Sequence, residues 1–188
     1  MTRGVNVFDD FLNSPGAYMR NLCGLLRDPA AFRTFEFPEA TFHGIHLVAL
    51  DSLVPAHIAA VTGGTPSLSF LRRSPLHQVE PHFIHSDVDM GEWSAILYLN
   101  AEPPEEDGTA FWTHNPTGTI ESSVPHERSI EGKTAMGWSL RKVVHAKFNR
   151  LLIFPSSYFH SRAIFENWGN SENARLTQIT FGTGDIFA

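Results

Sequence analysis

Two residue types that bind metals stand two positions apart in His85-Ser86-Asp87, inside the segment running from His82 to Asp89. In an extended strand, residues i and i+2 share a face, about 6.6 Å apart at ~3.3 Å per residue, so both side chains can reach one ion. A third ligand must come from a distant strand. His160, 75 positions further on (160 − 85), closes the run Leu151-Leu152-Ile153-Phe154-Pro155-Ser156-Ser157-Tyr158-Phe159-His160. An apolar strand, a Pro-Ser-Ser turn and a re-entering strand would carry that imidazole into the mouth of a core. Two histidines and one carboxylate cover one face of an octahedral ion and leave three sites open. That donor set is typical of non-haem Fe(II) oxygenases.

A bidentate 2-oxo acid would fill two of the open sites and O₂ the third. The far end of a 2-oxo diacid then needs a cation. Arg175, 15 residues after His160 (175 − 160), lies in Ala174-Arg175-Leu176-Thr177-Gln178-Ile179-Thr180-Phe181. A guanidinium fork matches a carboxylate with two parallel hydrogen bonds. Thr177 shares the face of Arg175 and can add a hydroxyl, and Tyr98 is a further donor to the same acid. Arg162, two residues from His160, and Lys142 are rival cations. Asp89 is a rival carboxylate, although Met90-Gly91 marks the end of its strand. His82 has the wrong parity for His85, as His43 has for His46, and His57 reads as helix packing. His114 and His126 lack partners but can border a pocket. A lone His-x-Asp carries little weight, since a surface hydrogen-bonded pair looks the same. The ordered set His85, Asp87, His160, Arg175 carries more.

With those residues in place the chain resembles the Fe(II)/2-oxoglutarate-dependent dioxygenases, and within them the prolyl-4-hydroxylase type. The resemblance covers residues 67–183. It rests on the order His-x-Asp, distal His, Arg, on Ser94-Ala95-Ile96-Leu97-Tyr98-Leu99-Asn100 as a "YLN" segment, and on Gly108-Thr109-Ala110-Phe111 as a Gly-led strand. It implies a double-stranded β-helix, or jelly roll. It also implies iron at His85, Asp87 and His160, with 2-oxoglutarate held by Arg175, Thr177 and Tyr98 and O₂ as cosubstrate. The implied activity is oxidative decarboxylation of 2-oxoglutarate coupled to hydroxylation or a related C–H oxidation. Two features depart from the pattern: Asp107 stands where a second glycine is common, and the interval from His160 to Arg175 is long. Because Asp87 is present, the chain does not resemble the halogenase branch, in which a small residue replaces the carboxylate.

The surrounding sequence supplies elements to hold such a site. Ser14-Pro15 reads as a helix start, with Tyr18, Leu22, Leu25 and Leu26 at helical spacing and an end near Arg27. A second helix begins at Asp51 or Ser52 and ends at Gly63-Gly64. A short strand is expected within 5–12. From residue 67 onward the chain reads as strands 67–73, 82–88, 93–100, 109–114, 141–148, 151–155, 159–165 and 174–182, separated by turn residues. Loops 34–46, 74–81 and 115–137 would rim the pocket, the last carrying Glu121, His126, Glu127 and Arg128. The expectation is a mainly β jelly roll with flanking α, its two N-terminal helices packed on one face, in one domain spanning 1–188.

Composition narrows the function. The chain has 188 residues, 42% of them apolar, and ten histidines. A net charge of −6 with scattered Lys and Arg argues against nucleic acid as partner. One cysteine, Cys23, excludes an intramolecular disulfide and a thiolate zinc site. No apolar run spans a bilayer or forms a signal peptide, so a cytoplasmic protein is expected. The expected substrate is a small molecule or is amino-acid-like, and a homodimer through an exposed strand or helix is compatible with the pattern. Two other functions fit part of the pattern: a cupin-like metalloenzyme that does not use 2-oxoglutarate, and a non-catalytic jelly-roll binding module.

Overall fold

The computed structural model describes residues 4–37, 40–78, 84–122, 135–164, 166–170 and 173–187. Its elements are β1 (Asn6–Phe8), α1 (Pro15–Arg27), β2 (Arg33–Phe37), β3 (Ala40–Leu47), α2 (Leu53–Thr62), β4 (Thr65–Ser74), β5 (Trp93–Tyr98), β6 (Gly108–His114), β7 (Trp138–His145), β8 (Leu151–Pro155), β9 (His160–Arg162) and β10 (Arg175–Thr183). A seven-stranded sheet runs β1-β8-β5-β10-β4-β3-β2, and a three-stranded sheet runs β7-β6-β9. Neighbours in both sheets are antiparallel.

Side-chain alternation in the central strands explains why two layers form on them. Trp93, Ala95 and Leu97 of β5 join Leu71, Leu151, Ile153 and Leu176 in one apolar cluster. Side chains of both helices enter the same cluster, Tyr18, Leu22 and Leu25 from α1 and Val54 and Ile58 from α2. The intervening residues Ile96 and Tyr98 pack with Leu152 and Phe154 of β8 against Phe111 and Val144 of the small sheet. Both faces of β5 are therefore out of water, which is why all six of its residues are buried. Burying a large apolar side chain contributes about 1.5–3 kcal/mol before the entropy of ordering it is subtracted.

The local signals act as their chemistry requires. Pro15 opens α1 after Ser14, although the Ser14 hydroxyl makes no capping bond. Gly63 closes α2 at φ +73°, its N–H donating to the Ala59 carbonyl. Gly182 of β10 lies under the ring of Trp93. A Cβ there would sit 2.1 Å from Trp93 Cζ2 and 2.4 Å from the Thr65 carbonyl oxygen. Gly182→Ala is therefore expected to lower stability by about 1–3 kcal/mol, read as a lower urea midpoint at unchanged slope.

Three expectations need correction. Residues 34–46 are not a rim loop: β2 and β3 pair there and extend the large sheet beyond β4. Phe35, Phe42 and Ile45 alternate with polar residues too irregularly to announce a strand. The expected strand 82–88 is, in its described part, a pair of bridge residues at Ile84 and His85, and Asp87 lies beyond them. Finally, β7 starts at Trp138, three residues before the expected strand and next to the segment assigned to loop 115–137. His82, His126, Glu127 and Arg128 lie outside the described residues.

The N-terminal strand is pinned by charge. Asp9 accepts hydrogen bonds from Arg150 Nε at 2.6 Å and Nη2 at 3.0 Å, and from Lys147 Nζ at 3.3 Å. The Arg150 bond chiefly pulls the Asp9 carboxyl down from 3.8 to about 2. A depressed carboxylate stabilises the fold above its unfolded pKa and loses that contribution as pH falls from about 4 towards 2. The side chain is 40% exposed, so screening limits the effect. Asp9→Asn should cost at most about 1 kcal/mol at pH 7. The cost should shrink as pH falls towards 2, a convergence that thermal melts at pH 7 and pH 2 would check.

Candidate metal centre

His160 enters from β9, at the edge of the small sheet. His85 sits beside it: His85 N–H donates to the His160 carbonyl at 2.9 Å, and His160 N–H donates back at 2.8 Å. This two-bond bridge puts the imidazoles on one side, ring centroids 4.4 Å apart. The chain then bends, and Asp87 N–H donates to the Ser156 carbonyl at 2.8 Å. That bond turns the Asp87 carboxylate towards both histidines. Oδ1 is 3.7 Å from His85 Nε2, and Oδ2 is 3.2 Å from His160 Nε2.

His85, Asp87 and His160 offer donor atoms within 4.8 Å of one another, and they are the only such group of three among the described residues. Adjacent donors on an octahedral ion with bonds of about 2.1 Å lie about 3 Å apart, close to the observed spacings. Protonation supports the fit. His160 Nδ1 lies 2.9 Å from the Tyr158 carbonyl oxygen, which only accepts, so Nδ1 carries the hydrogen. The other ring nitrogen, Nε2, faces the Asp87 carboxylate. A bond of this kind on the far nitrogen is the usual means of orienting a histidine ligand. Burial pushes the Asp87 carboxyl up. His160, His85 and the Ser94 hydrogen bond together outweigh it and hold the group at about 2, so the carboxylate stays ionised above pH 4.

The other expected site residues lie along the same interior. Arg175 opens β10, and Thr177 is on the same face, opposite Tyr98 of β5. Arg175 is buried, and its Nε donates to both Asp107 oxygens at 3.1 Å. Its two terminal nitrogens have no protein acceptor among the described residues. The Thr177 hydroxyl oxygen is buried without a hydrogen-bond partner among the described residues. A buried unsatisfied hydroxyl costs about 1–3 kcal/mol. An outside acceptor beside Thr177 and the free edge of Arg175 would remove that cost, and a carboxylate suits both. Tyr98 is already engaged, its hydroxyl 2.7 Å from Thr109 Oγ1.

Several alternatives are not brought to the centre. Asp89 is not in the three-donor group. Lys142 is exposed on β7. His114 is on the surface, 2.9 Å from Thr117 Oγ1, with its ring against Trp138. His57 packs on Phe11. Arg162, by contrast, stays close to the centre: it lies on β9, two residues from His160 and opposite Thr109, whose hydroxyl meets that of Tyr98.

Sequence reasoning did not find Asp107, the partner of Arg175, beyond noting that it displaced a glycine. A buried acid before a strand glycine was the available signal. Ser94 and Ser156, which surround Asp87, stood in quoted segments with nothing in their spacing to mark them.

The two layers have the fold of solved iron- and 2-oxoglutarate-dependent enzymes, a jelly roll. Three solved structures represent it. One is the non-haem alpha-ketoglutarate-dependent carbocyclase SnoK from nogalamycin biosynthesis, with TM-score 0.59 at 12% identity over 95% of this chain and 78% of that one. A second is EctD from S. alaskensis with bound Fe, TM-score 0.54 at 20% identity over 95% and 72%. The third is a Pseudomonas putida prolyl-4-hydroxylase, TM-score 0.55 at 14% identity over 96% and 92%. No protein-family model and no curated protein matches the chain.

Proposed function

We propose that the chain is an Fe(II)/2-oxoglutarate-dependent dioxygenase that hydroxylates or otherwise oxidises a C–H bond of a small-molecule or amino-acid-like substrate. The observation that carries this reading is the convergence of His85, Asp87 and His160 on one point of a fold shared with iron- and 2-oxoglutarate-dependent enzymes. His85, Asp87 and His160 would hold the iron, which would supply O₂ activation when bound. The terminal nitrogens of Arg175 and the Thr177 hydroxyl would hold the far carboxylate of 2-oxoglutarate. Tyr98 and Thr109 would close the interior beside it and exclude water.

The substrate reading draws on the wall beside the centre. Phe181 of β10 pairs with Ser94, next to Asp87, and beyond it Leu68 and Phe70 on β4 are only half-buried, as is Ile179. An open apolar wall suits the carbon body of a small molecule. A cytoplasmic location and the absence of a nucleic-acid partner remain part of the proposal. No described helix is long and apolar enough to cross a membrane.

One observation favours a second reading. The Asp107 pair gives Arg175 a structural role as well, which suits a cupin-like metalloenzyme that does not use 2-oxoglutarate. Anaerobic Fe(II) and 2-oxoglutarate added to the folded protein should produce a weak visible charge-transfer band. Aerobic turnover should release succinate, assayed across a panel of amino acids, peptides and metabolites. Oxygen uptake that proceeds equally without 2-oxoglutarate would select the cupin-like reading.

A further inference from the structure

Asp87 is held by two serines that the reaction itself does not need. Ser94 Oγ lies 3.3 Å from Asp87 Oδ2, and Ser156 Oγ lies 2.8 Å from Ser94 Oγ. Both serines are fully buried, on strands β5 and at the end of β8. The direction of the bonds follows from chemistry. An ionised carboxylate only accepts, so Ser94 donates its one hydrogen to Asp87. Ser94 then has only lone pairs to offer, so Ser156 is the donor in the second bond. The chain is Ser156 O–H to Ser94 O–H to Asp87 Oδ2, and a bond that is itself donated to becomes a stronger donor. The Ser156 carbonyl also accepts the Asp87 N–H at 2.8 Å, so one residue fixes both ends of the aspartate.

We propose that Ser94 and Ser156 form a hydroxyl relay that sets the rotation of the Asp87 carboxylate and so tunes the affinity of the centre for a divalent metal. The proposal rests on the metal reading above and makes it more specific. Ser94 and Ser156 are positioning residues: both act through Asp87. Anchoring Oδ2 leaves Oδ1, on the His85 side, as the oxygen with no hydrogen bond to either serine. An unanchored carboxylate would have to be ordered when metal binds, and that ordering lowers affinity. Partners of this kind typically change metal affinity 10–100-fold.

The order of the relay makes a distinctive prediction. Ser94→Ala breaks both links, because Ser156 then has no route to Asp87. Ser156→Ala removes only the outer link. Anaerobic Fe(II) titration against a chromogenic chelator should show the dissociation constant rising about tenfold in Ser94→Ala, and less in Ser156→Ala. The double variant should equal Ser94→Ala, a non-additivity that independent structural effects do not produce. Thermal melts without metal serve as the control for folding, and Ser156→Ala carries the test alone should Ser94→Ala not fold. An unchanged dissociation constant in whichever serine variants fold overturns the relay, as do additive effects in the double variant. If the unaltered protein holds no Fe(II), the proposed function falls and the relay falls with it. If the unaltered protein binds and the serine variants bind equally well, only the relay falls.

Discussion

His160→Ala is expected to lower Fe(II) affinity by more than about 100-fold, the upper end of what loss of a supporting residue alone causes. The band formed by iron with 2-oxoglutarate should vanish, and succinate release with it. The imidazole is the most deeply buried of the three donors, and its donor nitrogen is fixed through Nδ1–H to the Tyr158 carbonyl. It is also the group nearest to Asp87, so its removal takes away the main influence holding that carboxyl low, and the Asp87 pKa should rise. The ring packs edge-on against Phe154, with centroids 4.7 Å apart. Truncation therefore leaves a small void as well, and a metal-free melt separates that cost from loss of the ligand. His85→Ala should behave alike at the metal with a smaller packing penalty, because its side chain is 29% exposed. A band that persists in either variant would remove the centre from these residues.

Arg175 provides the second large effect, and the Asp107 pair decides how it must be tested. Arg175→Ala alone leaves the Asp107 carboxylate buried and unpaired, which typically costs about 3–5 kcal/mol and would confuse folding with binding. Replacing both as Arg175→Ala/Asp107→Ala removes the buried charges together and should recover much of that stability. In the double variant the 2-oxoglutarate concentration for half-maximal succinate release should rise about 10–100-fold, since a hydrogen bond to a charged group contributes about 1.5–3 kcal/mol. Fe(II) affinity should stay within about threefold of the parent, because Arg175 contacts neither histidine nor Asp87. An unchanged 2-oxoglutarate requirement would assign Arg175 to structure alone and return Arg162 to consideration.

Much of this was legible from local chemistry. Pro15 and Gly63 place the helix ends because a ring and an αL residue have few other uses there. The mostly apolar run Trp93–Tyr98 and the apolar run Leu151–Pro155 mark central strands. The His85–Asp87 pair was legible from residue type and closeness along the chain, but a bend held by the Asp87 N–H to Ser156 carbonyl bond, and not strand parity, brings the two together. Less legible were elements whose stability comes from neighbours. The β2–β3 pair has no clean alternation, and it forms because β4 offers an edge to pair with. His85 is held by a two-bond bridge to His160, a partner 75 positions away that no local pattern announces.

The His-x-Asp, the distal His160 and Arg175 beyond it are sequence facts, and residue type with order along the chain determined which chemistry was available. Only the tertiary structure decided how they are used. It set His160 against His85, gave Asp107 to the Nε of Arg175, left the Thr177 hydroxyl without a partner and ran Ser156 through Ser94 to Asp87. The physical reason is range. Strand parity and capping act over a few residues and are written in the local order of side chains. The bonds that orient a carboxylate or a guanidinium join residues 7 to 69 positions apart, and no local pattern encodes which distant strand will arrive beside them.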